Sequence, residues 1–312
     1  MTRLLGIAAA QVGPVAGDPH CSLAKLEEVT QAISSTLPWV DLICFPELFV
    51  TGLNQFVDGG PTMADLAQPV PGPLTERFSA LARRVGRWLV PGSFFERDGE
   101  MVYNSSLIFS PEGEMVGHYR KLYPWQPLET AAPGDRGFCI WDIPGVGRLG
   151  LCICYDMWFP EVSRSLAWLG AEVILHLSMT STSDRVVETV IARANAIFNQ
   201  CYFVDVNIVG RYGGGCSQII DPDGTVLQLA AEHESILTHV LDLDHVTRAR
   251  QLGTLGLAQV WKTWGDVPLT FPPYSRPTQE SPLLSRLGRP HYPRDLRHMN
   301  ATRAAGVDFG ND

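Results

Sequence analysis

Short runs of consecutive apolar residues recur along most of the chain and predict strands that are buried on both faces. The runs are rich in Val, Ile and Leu, and they are shorter than ordinary helices. They cover residues 4–10, 42–45, 88–90, 107–109, 149–152, 173–177 and 202–206. The first run stands close to the N-terminus, and Gln11 interrupts it, so we interpret it as a first buried strand rather than a signal peptide.

Helical spacing appears between these runs. Over residues 184–199 the apolar positions recur every three or four residues and form one face: Val186, Val187, Val190, Ile191, Ala194, Ile197 and Phe198. Asp184 is the predicted N-cap of this helix. Weaker patterns predict helices over residues 22–33 and 74–85. Pro-Glu-Gly at 111–113 and Pro-Asp-Gly at 222–224 predict hairpin turns.

Strands that alternate with helices, with some direct hairpins, indicate a layered α/β fold with mixed sheets. From about Gly253 the periodicity fades and prolines become frequent. We therefore predict one domain over residues 1–252 and a Pro-rich C-terminal extension over residues 253–312. The extension is expected to wrap over the domain or over a neighbouring subunit.

Composition narrows the classes of function. Of the 312 residues, 45% are hydrophobic and 18% are charged, which is typical of a globular protein. The net charge is −9 and no block of Lys and Arg occurs, so nucleic acid and membrane surfaces are not expected partners. No apolar stretch approaches the ~20 residues of a membrane helix. Seven cysteines without metal-ligand spacing indicate reduced thiols and a cytoplasmic protein.

Three polar blocks follow predicted buried strands, where α/β folds usually carry their chemistry. Glu47 follows the strand 42–45, Lys121 lies in the block 118–125, and Cys154 follows the strand 149–152. Taken singly, each residue has an ordinary interpretation: a loop carboxylate, a surface lysine and a small buried hydrophobe. A turn from strand to helix at Cys154, however, is a geometry that exposes a nucleophile and directs backbone N–H groups at a reacting oxygen.

The blocks together resemble the nitrilase superfamily of carbon–nitrogen hydrolases over roughly residues 4–245. The similar motifs, in the order of that family, are Phe45-Pro46-Glu47, Tyr119-Arg120-Lys121, and Cys154-Tyr155-Asp156 with Phe159-Pro160-Glu161. Tyr103-Asn104-Ser105 matches a further family block. The resemblance implies an αββα sandwich, in which two mixed β-sheets are flanked by helices, with a Glu–Lys–Cys triad and no cofactor or metal.

The roles that this resemblance implies are chemically consistent. Cys154 is the expected nucleophile and Glu47 the expected general base, because a thiol is mostly protonated at neutral pH. Lys121 and the backbone N–H of Tyr155 are expected to stabilise the oxyanion. Glu129 matches a second glutamate that the family places beside the triad.

The resemblance also narrows the substrate. Tyr155-Asp156 stands where nitrile-hydrolysing members have Trp-Glu, and residues 120–129 are similar to a stretch of aliphatic amidases and formamidases. A primary amide is therefore the expected substrate, and an N-carbamoyl amino acid or amine is the second candidate. Arg185 is a candidate to bind a substrate carboxylate, or else to pair with Asp184 or face solvent. Trp125, Trp158 and Tyr155 are candidates to line an apolar pocket, or else to pack.

Several rival functions also fit these residues. Cys152 and Cys154 would serve a thiol oxidoreductase, although we assign Cys152 to packing because it falls within the apolar strand. Nitrile hydrolysis is disfavoured by Tyr155-Asp156, and a non-catalytic scaffold is disfavoured because no triad residue is missing, whereas acyl transfer remains compatible with the same thioester. The resemblance implies a homodimer or larger homo-oligomer, formed through helices that follow the nucleophile block. Trp261 and Trp264 are expected either to anchor the extension in a groove of a partner subunit or to fold back over their own chain.

Overall fold

The structure is a computed structural model that describes residues 2–15, 18–51, 61–210, 213–253, 257–268, 271 and 274. The predicted Pro-rich extension, residues 253–312, lies outside the described residues apart from 253, 257–268, 271 and 274. The division of the chain into a domain and an extension therefore stays a prediction.

Strands and helices alternate along the described chain. The sixteen strands are β1 (Leu4–Gln11), β2 (Leu42–Cys44), β3 (Gln68–Pro69), β4 (Trp88–Val90), β5 (Ser93–Asp98), β6 (Met101–Phe109), β7 (Met115–Arg120), β8 (Cys139–Ile143), β9 (Gly147–Ile153), β10 (Val173–Ser178), β11 (Tyr202–Asn207), β12 (Val209–Gly210), β13 (Gly213–Gly214), β14 (Gln218–Ile220), β15 (Val226–Leu229) and β16 (Ser235–Asp242). The helices are α1 (Pro19–Thr36), α2 (Met63–Leu66), α3 (Pro73–Val85), α4 (Pro160–Trp168), α5 (Asp184–Asn199), α6 (Leu243–Leu252) and α7 (Val260–Gly265). A 3₁₀ turn, Cys154–Trp158, joins β9 to α4.

Two main sheets form the middle layers. The first has the order β16-β1-β2-β4-β6-β5-β3, with β7 also paired to β6, and the second has the order β15-β14-β11-β10-β9-β8. Both sheets mix parallel and antiparallel pairs. In the first, β1 runs parallel to β2 and antiparallel to β16. In the second, β10 runs parallel to both β9 and β11, and β11 runs antiparallel to β14. A separate two-stranded sheet pairs β12 with β13.

Three apolar clusters hold the layers together, because each sheet is buried on both faces. Between the sheets, side chains such as Ile7 and Leu42 meet Leu151 and Leu175. Outside the first sheet, α1 and α3 cover a cluster that includes Phe78. Outside the second sheet, α4 and α5 cover another cluster. The predicted αββα sandwich is confirmed.

Every element predicted from apolar periodicity has the predicted type, strand or helix, in the structure. All seven predicted runs fall in strands and all three helical patterns fall in helices, with ends that differ by a few residues. The two predicted turns connect β6 to β7 and β14 to β15. The predicted N-cap was wrong: Asp184 is the first helical residue and Ser183 precedes the helix. The Asp184 carboxylate instead accepts a hydrogen bond from the Thr182 hydroxyl, in the first turn where negative charge is favoured.

The apolar face of α5 points away from the core. Val186, Val190 and Phe198 are 73%, 66% and 59% exposed, although they belong to the regular stripe that predicted the helix. The buried side of the helix is instead largely polar and carries Arg185, Glu188, Asn195 and Asn199. The exposed stripe on α5 is therefore apolar, whereas the face of the helix that packs on the core is mostly polar.

The described part of the extension packs on its own chain. The rings of Trp261 and Trp264 lie 6.3 and 4.9 Å from that of Trp168 in α4, and the Arg164 guanidinium stacks 4.7 Å from the Trp261 ring. Trp261 Nε1 donates to the Asn199 carbonyl at 3.3 Å. These two tryptophans therefore contact α4 and the end of α5 in their own chain, and the groove in a partner subunit stays a prediction.

Within the described ranges, no helix combines the length and the apolar character needed to cross a bilayer.

Leu151 offers a test of the layer between the sheets, because its side chain is fully buried there. Leu151→Ala should lower the free energy of unfolding by about 2–5 kcal/mol, the usual cost of such a cavity. Chemical denaturation of the two proteins measures it. Leu257→Ala is the control, because Leu257 is 84% exposed and its truncation should change stability by less than about 0.5 kcal/mol. Equal losses in the two variants would contradict the assigned packing.

Candidate active site

Three polar residues converge from the two sheets. Glu47 follows β2 and Lys121 follows β7, both in the first sheet, whereas Cys154 follows β9 in the second sheet. Glu47 and Lys121 are 2% and 1% exposed, and Cys154 keeps partial exposure. The sequence predicted these residues at strand ends, and the structure places them together.

A closed ring of hydrogen bonds fixes the charged groups. The Lys121 ammonium donates to Glu47 Oε1 at 2.9 Å and to Glu129 Oε2 at 2.7 Å. The Asn104 amide Nδ2 donates to the same Glu47 oxygen at 2.8 Å and to Glu129 Oε1 at 2.9 Å. The Trp125 backbone N–H donates to Glu129 Oε2 at 2.9 Å. Each carboxylate therefore accepts hydrogen bonds from both the Lys121 ammonium and the Asn104 amide.

Asn104 is a site residue that sequence reasoning did not single out. It lies in β6, fully buried, and it contacts both carboxylates at once. The available signal was the polar Tyr103-Asn104-Ser105 block within an otherwise apolar strand pattern. A buried amide needs partners, so such a residue indicates a polar neighbour across the sheet.

The pKa values of Lys121 and Glu129 are set by the opposite charges that surround each of them. Burial alone would lower the pKa of Lys121, but the carboxylates of Glu129 and Glu47 outweigh it and raise that pKa well above its usual value. Burial would raise the pKa of Glu129, but the charge and hydrogen bond of Lys121 outweigh it and lower that pKa. Lys121 is therefore an ammonium and Glu129 a carboxylate at neutral pH.

Cys154 stands at a tight turn with an unusual backbone conformation. Its φ is 50°, a left-handed value that is uncommon for residues other than glycine and that clusters at functional sites. The Asp156 carboxylate supports the turn, because it accepts the Ile153 N–H at 3.0 Å, the Tyr123 N–H at 2.9 Å and the Tyr119 hydroxyl at 2.7 Å. Burial raises the pKa of Asp156 to about 6, although Lys121 opposes the rise.

Burial and the charged groups nearby determine the pKa of the Cys154 thiol. Burial raises its pKa well above the usual value, the Glu47 carboxylate adds to that rise, and Lys121 opposes it. Its Sγ is 3.9 Å from the Thr180 hydroxyl oxygen, which in turn donates to Glu188 at 3.0 Å. The resting thiol is therefore protonated at neutral pH, and it needs a base before it can react as a nucleophile.

Arg185 is buried, and its three guanidinium nitrogens all have acceptors within the chain. They bind the Asp205 carboxylate, with a shortest distance of 2.6 Å, Glu188 Oε2 at 3.3 Å, and the carbonyl oxygens of Gly215 and Cys216 at 2.9 and 2.8 Å. These five contacts match the five N–H donors of the group, so Arg185 neither pairs with Asp184 nor faces solvent. No donor remains for a substrate carboxylate, and the structure contradicts that expected role.

Two of the candidate pocket aromatics, Tyr155 and Trp158, closely follow the nucleophile in sequence, whereas Trp125 precedes it by 29 residues. Tyr155 and Trp158 are half-buried with ring centroids 6.2 Å apart, and Trp158 Nε1 donates to Glu188 at 3.4 Å. Trp125 is 37% exposed. Cys152 is fully buried in the apolar cluster under α4, as its assignment to packing requires.

The chain is similar to known proteins both in sequence and in fold. A family model described as carbon-nitrogen hydrolase matches residues 6–251. A formamidase of Bacillus thuringiensis (strain Al Hakam) is 37% identical over 212 residues, which cover 65% of this chain and 63% of that enzyme. The match thus spans less than two thirds of the relative's length.

Solved structures share the fold. Saccharomyces cerevisiae Nit3, a member of branch 10 of the nitrilase superfamily, has a TM-score of 0.72 and 26% identity, covering 80% of this chain and 94% of that one. A carbon-nitrogen hydrolase from Helicobacter pylori G27 has a TM-score of 0.74 and 24% identity, covering 86% of this chain and 96% of that one.

Lys121→Met tests the electrostatic environment of the thiol. The substitution removes the cation that opposes the rise in the pKa of Cys154, so alkylation of Cys154 by iodoacetamide at pH 8 should slow at least about tenfold. Intact-mass measurements over time, with peptide mapping of Cys154, give the rate. Lys262→Met is the matched control, because Lys262 is exposed and lies in α7. Equal alkylation rates in a folded Lys121→Met protein would contradict the assigned contact.

Proposed function

Because the chain belongs to the carbon–nitrogen hydrolase family, we propose that it hydrolyses the C–N bond of a small primary amide through a thioester on Cys154. The products are ammonia and a carboxylic acid. The observation that carries this proposal is the convergence of the Cys154 thiol with Glu47 and with an ammonium, Lys121, that is held by two carboxylates.

Acylation begins when Glu47 accepts the thiol proton and Cys154 Sγ attacks the amide carbonyl carbon. The carbonyl oxygen becomes an oxyanion, which the Lys121 ammonium and the Tyr155 backbone N–H stabilise. The intermediate then collapses: Glu47 returns the proton to the nitrogen, the C–N bond breaks and ammonia leaves. The acyl group stays on sulfur as a thioester.

Deacylation repeats the same proton transfers with water. Glu47 accepts a proton from a water molecule, and the oxygen of that water attacks the thioester carbon. A second oxyanion forms in the same site. The C–S bond then breaks, the carboxylic acid leaves and the proton restores the Cys154 thiol. A single carboxylate therefore serves as base and acid in turn.

Glu129 and Asn104 support this cycle without changing protonation state. Lys121 must stay charged while Glu47 alternates between carboxyl and carboxylate. Glu129 keeps a negative charge 2.7 Å from the ammonium throughout, and Asn104 holds both carboxylates through its amide nitrogen. In this scheme the Trp125 N–H fixes the orientation of Glu129.

The charges around Cys154 support a neutral substrate. An N-carbamoyl amino acid brings a carboxylate, which requires a free cationic partner. Among the described residues near Cys154, Lys121 is engaged by two glutamates and Arg185 by Asp205 and Glu188. A small uncharged amide avoids this conflict, and the similarity to a formamidase agrees with that choice. Tyr155, Trp125 and Trp158 form the apolar walls in this proposal.

We also propose that two copies of the chain form a homodimer through the exposed face of α5. Val186, Val190 and Phe198 expose apolar area on one face of that helix, while its other face supports the site. A second copy of the chain is the proposed occupant of this surface, in agreement with the assembly implied by the family resemblance.

The location and the other partners follow from composition. The seven free thiols support a cytoplasmic location, and the net charge of −9 supports neither nucleic acid nor membrane as partner.

The first test is ammonia release from short aliphatic amides, N-carbamoyl amino acids and nitriles. We expect selective release from the amides, and loss of turnover by at least about 10⁴-fold in Cys154→Ala, because the variant has no nucleophile at the site. Cys21→Ala is the matched control, since Cys21 is exposed in α1, and it should keep full activity. Carbamoyl-selective release would replace the proposed substrate class. Amide products formed when an amine is added would indicate acyl transfer.

Val190→Glu tests the dimer. The substitution places a charge in the exposed stripe of α5, so it should weaken self-association at least about tenfold while leaving the monomer folded. Sedimentation equilibrium across a concentration series measures it. Val116→Glu, at a 40% exposed position in β7, is the matched control and should leave association unchanged. A wild-type protein that stays monomeric, or equal effects of the two variants, would rule out the proposed interface.

A further inference from the structure

His176 occupies a position behind the nucleophile that the catalytic scheme leaves unused. It lies in β10 with a fully buried side chain. Its Nδ1 is 2.8 Å from Asp205 Oδ1, and its Nε2 is 3.0 Å from the backbone carbonyl oxygen of Cys154. The ring therefore joins the second sheet directly to the peptide unit of the nucleophile.

Both partners of the ring are acceptors, and this decides its protonation. A carbonyl oxygen has no proton to donate. Burial would raise the pKa of Asp205, but Arg185 and His176 outweigh it and lower that pKa, so Asp205 is a carboxylate. A neutral ring of either tautomer would direct a nitrogen lone pair at one of these oxygens. Only the imidazolium donates to both.

The surrounding charges agree with an imidazolium. Arg185 and Glu188 from α5 and Asp205 from β11 face the ring, and Cys152 is its cross-strand neighbour in β9. With His176 protonated, the positive charges of His176 and Arg185 balance the negative charges of Asp205 and Glu188. Burial would lower the pKa of His176, but the hydrogen bond and charge of Asp205 outweigh it and raise that pKa. The direction of this pKa shift agrees with the imidazolium that the two acceptors require.

The bond to Cys154 has a geometric consequence on the other side of the peptide. The carbonyl of Cys154 and the N–H of Tyr155 belong to one planar trans peptide unit, so they point in opposite directions. A donor that fixes the carbonyl therefore also fixes the direction of the N–H. A charged donor additionally polarises the peptide, which strengthens the N–H as a donor.

We propose that His176, as an imidazolium held by Asp205, is the positioning residue of the oxyanion site, because it fixes the Cys154 carbonyl and thereby directs the Tyr155 N–H at the oxyanion. This inference rests on the proposed amide hydrolysis. His176 also restrains Cys154, whose backbone adopts a φ of 50°. His176 acts through the peptide unit that joins Cys154 to Tyr155, and it does not contact the substrate.

His176→Gln separates positioning from a general structural role. Glutamine keeps a neutral side-chain donor but no charge, so kcat should fall roughly 10- to 100-fold while KM changes less than about threefold, because the lost interaction strengthens only in the transition state. Alkylation of Cys154 by iodoacetamide forms no oxyanion, so its rate should stay within about threefold of wild type. A parallel fall in both rates, or a change confined to KM, would overturn the proposal.

His245→Gln is the matched control. His245 also pairs with an aspartate, Asp223 at 2.8 Å, but it lies partly exposed in α6. Its substitution should leave kcat, KM and the alkylation rate unchanged. An equal loss of kcat in this variant would mean that the effect at His176 is not specific to the peptide of Cys154.

The charge state is measured independently of turnover. In ¹⁵N-histidine-labelled wild type, both ring nitrogens of His176 should carry protons at pH 7, with His176→Gln supplying the assignment. Because the pKa is raised in the folded protein, the protonated form persists below it, and kcat should fall as pH rises through it. Asp205→Asn removes the stabilising charge and should move that fall to lower pH. A neutral ring at pH 7 would overturn the proposal.

An aldehyde distinguishes failure of the proposed function from failure of this inference. Acetaldehyde adds to the thiol: the S–C bond forms, the thiol proton passes to Glu47 and the carbonyl oxygen becomes the oxyanion of a hemithioacetal. If wild type releases no ammonia from any amide, the proposed function fails, and aldehyde affinity still tests His176. His176→Gln should weaken that affinity at least about tenfold. Equal affinity in the two proteins would refute the positioning role.

Discussion

The buried ion cluster of Lys121, Glu47 and Glu129 is the interaction on which the rest of this site depends. Removing an ammonium from water costs several kcal/mol unless compensating charges and hydrogen bonds surround it. Two carboxylates supply that compensation at 2.9 and 2.7 Å, and the Asn104 amide donates to both of them at 2.8 and 2.9 Å. The strands around the cluster must therefore keep their register, since a displaced partner would leave a charge unpaired in the interior.

The two sheets divide the chemistry between them. The first sheet positions Glu47 and Lys121, and the second positions the Cys154 thiol. Their relative position is fixed by the apolar layer between them, where Ile7 and Leu42 meet Leu151 and Leu175. Close packing of that layer transmits the position of one sheet to the other, because interiors of this density leave little room for displacement.

The helix α5 serves two purposes with its two faces. Its buried face carries Arg185 and Glu188, which join Asp205 and His176 in a polar network behind Cys154. Its other face is apolar and exposed. Ordinary amphipathic helices place these faces the other way round. The inversion follows from the polar network behind Cys154, which requires Arg185 and Glu188 on the buried face.

The sequence by itself predicted seven of the described strands, the helices α1, α3 and α5, and the three blocks that contain Glu47, Lys121 and Cys154, because periodicity and strand ends are local properties. It also made the αββα sandwich the expected fold through the family resemblance. Only the tertiary structure decided which face of α5 is covered, since periodicity groups residues on one face without saying what packs there. It likewise assigned the partners of Asn104, His176 and Arg185. Those partners lie up to 57 residues away along the chain, and only the packing of strands and helices brings their atoms within hydrogen-bond distance.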